Sequence, residues 1–311
     1  MERLSATYIL PLRKDTDEEL GQLTEYLERL SHLLDVIVVD NSNAELFARH
    51  HRHWRHLVTH IRPDDDCITE NQKVGNVTTG VRKARTEALV VADDDVRYCR
   101  ETLQAVIARL SAADIVRPAN YFAPLVWHAA FDTARTLLNR ISGGDWPGTL
   151  AFRKSAFVRA GGYAGNVLFE NFELVRTIVR AGGREVNADD VFVKRLPPGT
   201  RHFWSQRVRQ AYDEFARPLR LLFFLMLAPV LFASLKQRRW NLLVFGALTA
   251  IGAAEIGRRR HGGAQVFPMT CSVLAPLWLL ERGICSWLAL SQRVFFGGVS
   301  YNGGRIKNAA T

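Results

Sequence analysis

The chain has 311 residues, enough for one large domain or two modest ones, each able to bury a core. Its 48% hydrophobic and 23% charged content excludes a disordered chain and an ordinary membrane channel. A formal charge of +10 favours anionic partners: nucleic acid, phosphate-bearing substrates or an anionic membrane face.

In chain order, Thr7 to Leu12 reads as a strand. The TDEE stretch at 16–19 fits a capping box, Thr16 capping and Glu19 reaching back. Leu20, Leu23, Leu27, Leu30 and Leu34 then follow helical spacing. The β-branched run DVIVVDNSN ends its strand at Asp40. The stretch 48–60 holds five of the nine histidines; its spacing matches no ordinary zinc pattern and no nucleic-acid motif, so it reads as a surface helix and loop.

A helix follows over 71–85, and then LVVADDDVRY, an apolar strand that runs into Asp93, Asp94 and Asp95. Strand, helix, strand in repetition argues for a mostly parallel sheet with helices on both faces. Ligands bind beyond the carboxyl ends of such strands, where Asp40 and the three-Asp cluster lie. Side chains alternate along an extended chain, so Asp93 and Asp95 share one side. Two such carboxylates suit a hard divalent cation that bridges phosphate oxygens. The stretch 126–140 is an amphipathic helix whose Trp127, His128 and Asp132 read as packing residues. In GGDWPGT, glycines allow close backbone approach, Asp145 offers a hydrogen-bond acceptor and Trp146 a stacking face.

After residue 217 the composition shifts. The segments 218–235, 240–257 and 266–290 are long and apolar, separated by the basic breaks KQRR and RRRHGG. The third carries Glu281 and Arg282, which must be paired or lie near an interface. Three crossings would put the basic loops on opposite sides, and a re-entrant first pair would remove that conflict. No signal peptide is recognised, so the first 200 residues are expected in the cytoplasm. The four cysteines have no CxxC spacing and read as reduced.

The ordered series VIVVDNSN, GNVTTGVRKA, ALVVADDDV, GTLAFRKSAF…GGY, LFENFELVRTIVRAGG and SQRVRQ, over residues 5–217, resembles family 2 glycosyltransferases, above all the membrane branch with the ceramide glucosyltransferases. The resemblance implies an α/β GT-A catalytic domain over 1–200, an amphipathic interface helix over 201–217, membrane segments over 218–290 and a basic tail over 291–311. It implies inverting transfer of a sugar from a nucleotide-sugar donor to a lipid or lipid-linked hydroxyl, in a multi-pass protein of the cell membrane with a cytoplasmic catalytic domain. No nucleic acid is involved. Asp40 resembles the carboxylate that meets the nucleotide. Asp93 and Asp95 resemble the metal-binding pair, with Mg2+ or Mn2+ as cofactor and Asp93 also near the donor. Asp145, Gln206 and Arg209 fall to the donor, Trp146 and Trp204 to the acceptor.

Two departures stand out. The base of the family is the Asp of an ED pair, but here Glu170 is followed by Asn171, which takes no proton at neutral pH. Glu170 is the expected base, with Glu173, three residues on and on the same helical face, as alternative or partner. The QxxRW pattern keeps Gln206 and Arg209 but has Gln210 in place of Trp. Two rival readings remain: a nucleotidyltransferase, for which PLRKDTDEE lacks the glycines, and a non-catalytic membrane scaffold of the same fold.

Overall fold

A computed structural model describes residues 2–301 and 304–311. In chain order the first elements are β1 (Ala6–Leu12), α1 (Leu20–Ser31), β2 (Asp35–Asp40), α2 (Ala44–Trp54), β3 (Thr59–Ile61) and α3 (Gln72–Lys83). There follow β4 (Ala88–Ala92), β5 (Val96–Arg97), α4 (Arg100–Arg109), β6 (Ile115–Phe122), α5 (Trp127–Arg140), β7 (Thr149–Arg153), α6 (Lys154–Arg159), α7 (Glu170–Arg180) and β8 (Glu185–Arg195). These eight strands form one sheet in the order β3-β2-β1-β4-β7-β6-β8-β5. The β3-β2-β1-β4 part is parallel, and β7 pairs antiparallel with both β4 and β6. The α/β sheet read from the sequence is present, and the right-handed crossover preference of parallel strands accounts for helices on both of its faces.

The chain divides into two compact units. The first comprises Met1–Pro118, Trp146–Asn166 and Glu170–Val193. Alternation along β1 sends Tyr8, Leu10 and Leu12 into one core with Leu23, Leu27 and Leu30 of α1 and Leu103 and Val106 of α4. Ile9 faces the other way, into a core with Val77 and Val81 of α3 and Leu174, Val175 and Ile178 of α7. The helix expected after TDEE begins later than the capping box requires: α1 starts at Leu20, Glu19 is its N-cap without a side-chain bond, and the Glu19 carboxylate pairs with Lys14 at 2.8 Å.

The second unit comprises Ala119–Asp145, Val167–Phe169 and Lys194–Thr311. It holds α5 and then α8 (Thr200–Ser205), α9 (Arg207–Tyr212), α10 (Pro218–Lys236), α11 (Trp240–Arg259), α12 (Met269–Val273), α13 (Ala275–Phe296) and the hairpin β9 (Val299–Tyr301) and β10 (Gly304–Ile306). The segment 201–217 therefore forms two short helices and a 3-10 turn instead of one continuous interface helix. Among the described residues two helices, Pro218–Lys236 and the one from Trp240, are long and apolar enough to cross a membrane. The third apolar segment is broken between α12 and α13, and its Glu281 is paired with Arg207 at 2.7 Å. The C-terminal stretch is folded: Leu168 and Phe169 N–H donate to the carbonyls of Asn308 and Ala309, and Val299, Ile306 and Ala309 are buried. Three apolar side chains and the β9–β10 pair hold this basic stretch down.

Candidate active site

The strand β4 delivers its carboxylates through a tight turn. Asp93 N–H donates to Gly148 O at 2.8 Å and Val96 N–H returns to Asp93 O at 3.1 Å, so Asp93, Asp94 and Asp95 stand at the carboxyl end of the sheet. Each lies partly accessible, unlike the four buried residues before them.

A lysine that sequence reasoning passed over joins them to the expected base. Lys73 Nζ lies 2.5 Å from Asp93 Oδ1 and 2.6 Å from Glu170 Oε1. It sits in the first turn of α3, whose N-cap Asn71 accepts the Lys73 N–H at 3.2 Å. The close packing of α3 fixes that turn: a Cβ on Gly75 would stand 2.1 Å from Cys67 O. A cation in a first helical turn works against the helix dipole. That local rule is broken here because two carboxylates await the ammonium, and a lysine so placed was the signal available in the sequence. Burial lowers the proton affinity of Lys73, but the charges of Asp93 and Glu170 outweigh it and carry its pKa well above the ordinary lysine value. Beside it, Lys14 Nζ contacts Asp94 Oδ2 at 2.5 Å; burial works against its charge and Asp94 again prevails, raising its pKa.

Glu170 opens α7, where a carboxylate favours the dipole. Glu173 is 2% exposed, so it is withdrawn into the protein and does not share an open face with Glu170. Asn171 has a structural reason to be an amide: its Nδ2 donates to Pro147 O at 2.9 Å, a bond no aspartate can make. Trp146 is likewise engaged, with the Arg117 guanidinium 4.1 Å from its ring centre and the Phe172 ring edge-on at 4.9 Å. Its face is covered by a cation before any sugar arrives.

Asp40, the residue expected at the nucleotide, closes β2. It is wholly buried. Oδ1 accepts from Ser42 N–H at 2.8 Å, and Oδ2 meets His50 Nδ1 at 2.7 Å and His60 Nε2 at 3.2 Å. Burial pushes its pKa up, but these hydrogen bonds win and hold it well below the usual carboxylate range. The histidine-rich stretch is correspondingly not a surface feature throughout: His50, Trp54 and His60 are buried, because Phe47 and Trp54 stack on the imidazoles.

The remaining expected residues lie in the second unit. The Asp145 carboxylate binds Arg135, and also accepts from Thr136 Oγ1 and Asn139 Nδ2, both at 2.7 Å. Burial raises its pKa, yet Arg135 and these donors bring it below the ordinary value. Arg135 also pairs with Asp132 at 3.0 Å, and Asp132 with Arg207 at 2.7 Å, so Asp145 belongs to a buried ion network within its own unit. Asp132 and His128 are buried, as the packing reading of α5 expects, whereas Trp127, read with them, is 60% exposed. Gln206 caps α9, Arg209 lies over the Tyr301 ring at 5.4 Å, and Trp204 is 44% exposed beside Trp127 and Phe131.

A cavity of about 630 Å3 lies at the amino ends of the strands, between Thr7, Asp35, Val36 and Thr59. None of the carboxylates of the three-Asp turn lines it.

Comparison with known proteins bears on this arrangement. Residues 33–123, which carry Asp40, Lys73 and the three-Asp turn, match glycosyl transferase family 21. Curated protein sequences give no match. Among solved structures, the mannosyltransferase PcManGT from Pyrobaculum calidifontis, in complex with GDP-Man and Mn2+, has 18% identity and a TM-score of 0.54 over 92% of this chain and 88% of its own. Mannosyl-3-phosphoglycerate synthase from Rubrobacter xylanophilus has 13% identity and a TM-score of 0.42 over 64% and 69%. The first of these likenesses establishes the fold, and with the family match it leads to one conclusion: the chain is a glycosyltransferase of GT-A fold, whose residues 33–123 are similar to glycosyl transferase family 21.

Proposed function

We propose that this protein is a membrane-bound inverting glycosyltransferase that moves a sugar from a nucleotide-sugar donor to a lipid or lipid-linked hydroxyl at the cytoplasmic face. The observation that carries the reading is the Lys73 bridge, which gathers Asp93 of the strand-end turn and Glu170 of the α7 N-terminus into one cluster. The GDP-Man and Mn2+ of the similar mannosyltransferase support a nucleotide-sugar donor and a divalent cation here.

The donor set fits Mg2+ or Mn2+. Asp93 and Asp95 offer hard carboxylate oxygens, and Asp93 already holds a cationic group at 2.5 Å. When bound, such an ion offsets the negative charge that grows on the departing diphosphate. Glu170 takes the proton as the acceptor oxygen bonds to the anomeric carbon; the bond from that carbon to the diphosphate oxygen breaks, and its electron pair leaves with the diphosphate. Lys73 has three ammonium hydrogens. Two serve Asp93 and Glu170, which leaves one for a diphosphate oxygen, so the same side chain sets the base and steadies the leaving group. Arg209 and Gln206 are assigned to the donor and Trp204, partly exposed, to the acceptor.

The two apolar helices support membrane association, and the short basic turn between them, with Arg238 and Arg239, suits a hairpin that enters and returns on one side. The test is transfer itself. Detergent-solubilised protein is incubated with a panel of nucleotide sugars and a membrane lipid extract, and products are read by mass. A lipid heavier by one sugar supports the reading; donor left intact under every condition contradicts it and favours a scaffold.

A further inference from the structure

The histidine-rich stretch has no part in the transfer chemistry, yet it builds a second polar centre in the first unit. Asp40 ends β2, His50 lies on α2 and His60 on β3. One atom from each, Asp40 Oδ2, His50 Nδ1 and His60 Nε2, lies within 4.8 Å of the others, and all three residues are buried. We propose that Asp40, His50 and His60 form a binding site for a transition-metal ion of the zinc type, separate from the cation of the three-Asp turn.

Three observations carry this. The first is the donor set. Two imidazole nitrogens and one carboxylate oxygen suit zinc and its neighbours, whereas the oxygens of Asp93 and Asp95 suit Mg2+ or Mn2+. The second is spacing. Tetrahedral bonds of ~2.0–2.1 Å put neighbouring ligand atoms about 3.3 Å apart. Asp40 Oδ2 to His60 Nε2 is 3.2 Å, and Asp40 Oδ2 to His50 Nδ1, at 2.7 Å, needs only a small opening.

The third is the ring of outer partners, which has the pattern that orients metal ligands. His50 Nε2 faces Asp17 Oδ1 at 3.2 Å, and His60 Nδ1 faces His51 Nδ1 at 3.1 Å. The free oxygen of the carboxylate, Asp40 Oδ1, accepts from Ser42 N–H. With an ion, each imidazole is neutral, ligates through one nitrogen and donates through the other. Phe47 and Trp54 stack on the rings and hold their planes.

The ligands are buried and come from three separate elements, which makes the proposed role structural, with the fourth position left to a ligand other than these three. The ion would tie β2, α2 and β3 together and, through Asp17, hold the β1–α1 loop whose Lys14 grips Asp94.

The test is metal content and cobalt spectroscopy on the full chain in detergent. Protein from zinc-supplemented growth, washed with excess Mg2+, should retain about one zinc per chain. His50→Gln and His60→Gln should lose it, whereas Asp95→Asn should keep it. Stripped wild-type protein titrated with Co2+ should develop the visible absorption of a low-coordinate site, and added zinc should bleach it. Should the histidine variants fail to fold, the wild-type content and cobalt spectrum decide alone. Wild-type protein with neither zinc nor a cobalt band overturns the proposal, as do folded glutamine variants that retain a full complement of zinc.

Discussion

Replacing Lys73 by methionine removes the ammonium and keeps the length of the side chain. Asp93 and Glu170 are then left as two carboxylates without the cation that lies 2.5 and 2.6 Å from them. Breaking a buried pair costs roughly 3–5 kcal/mol. The Lys73, Asp93 and Glu170 side chains retain 18%, 24% and 18% exposure, which sets the expectation at the lower end, about 3 kcal/mol. That is a fraction of the ~5–15 kcal/mol that holds a domain together, so the variant should fold. Denaturant unfolding of wild type, Lys73→Met, Glu170→Gln and the double variant forms a thermodynamic cycle. Coupling of about 1–3 kcal/mol is expected, with Glu170→Gln recovering stability in the methionine background because it removes one of two like charges. Turnover of Lys73→Met should fall about a hundredfold, the usual effect of losing one donor to a developing anion. A loss of stability under about 0.5 kcal/mol, additive with that of Glu170→Gln, would refute the bridge as an energetic unit.

Other perturbations separate the roles of neighbouring residues. Glu170→Gln should lower turnover by about 10²–10⁴-fold with little change in nucleotide affinity by calorimetry, whereas Glu173→Gln, at a buried position, should lower the unfolding midpoint instead of the rate. Asn171→Asp should not restore a family-like base. It sets a carboxylate oxygen against Pro147 O in place of a 2.9 Å hydrogen bond, so a loss of about 1–3 kcal/mol is expected in denaturant unfolding, with no gain in turnover. Asp95→Asn should abolish transfer at ordinary Mg2+ or Mn2+ while leaving the circular dichroism spectrum intact, and full activity of wild type in a chelator would contradict the need for a cation.

Much of the first unit was legible because its signals are periodic. Short apolar and β-branched runs placed β1, β2 and β4, leucine spacing placed α1 within a few residues, and the apolar run into three aspartates marked the sheet edge. The start of α1 differs from the capping-box expectation: the helix begins at Leu20, after Glu19, whose carboxylate pairs with Lys14. Lys73 and the Asp40 histidines were missed for a common reason. Their partners sit on different elements, Glu170 97 residues from Lys73 and His50 and His60 10 and 20 residues from Asp40, and pairing between elements follows no helical or strand period. The resemblance assigns Asp145 to the donor; its carboxylate is bound by Arg135 and Asn139 of α5, a contact that no local spacing in the sequence announces. Asn171 departs from the usual acid, and the Pro147 carbonyl that accepts from its Nδ2 supplies the reason.

The central claim is that these carboxylates run a single displacement at the anomeric carbon. The most direct measurement is the anomeric configuration of the transferred sugar, read by proton NMR on product formed from an α-linked nucleotide sugar by wild-type protein and by Glu170→Gln. The account predicts a β-linked product with wild type and almost none with the variant. An α-linked product, or β-linked product formed at an undiminished rate by Glu170→Gln, would contradict it.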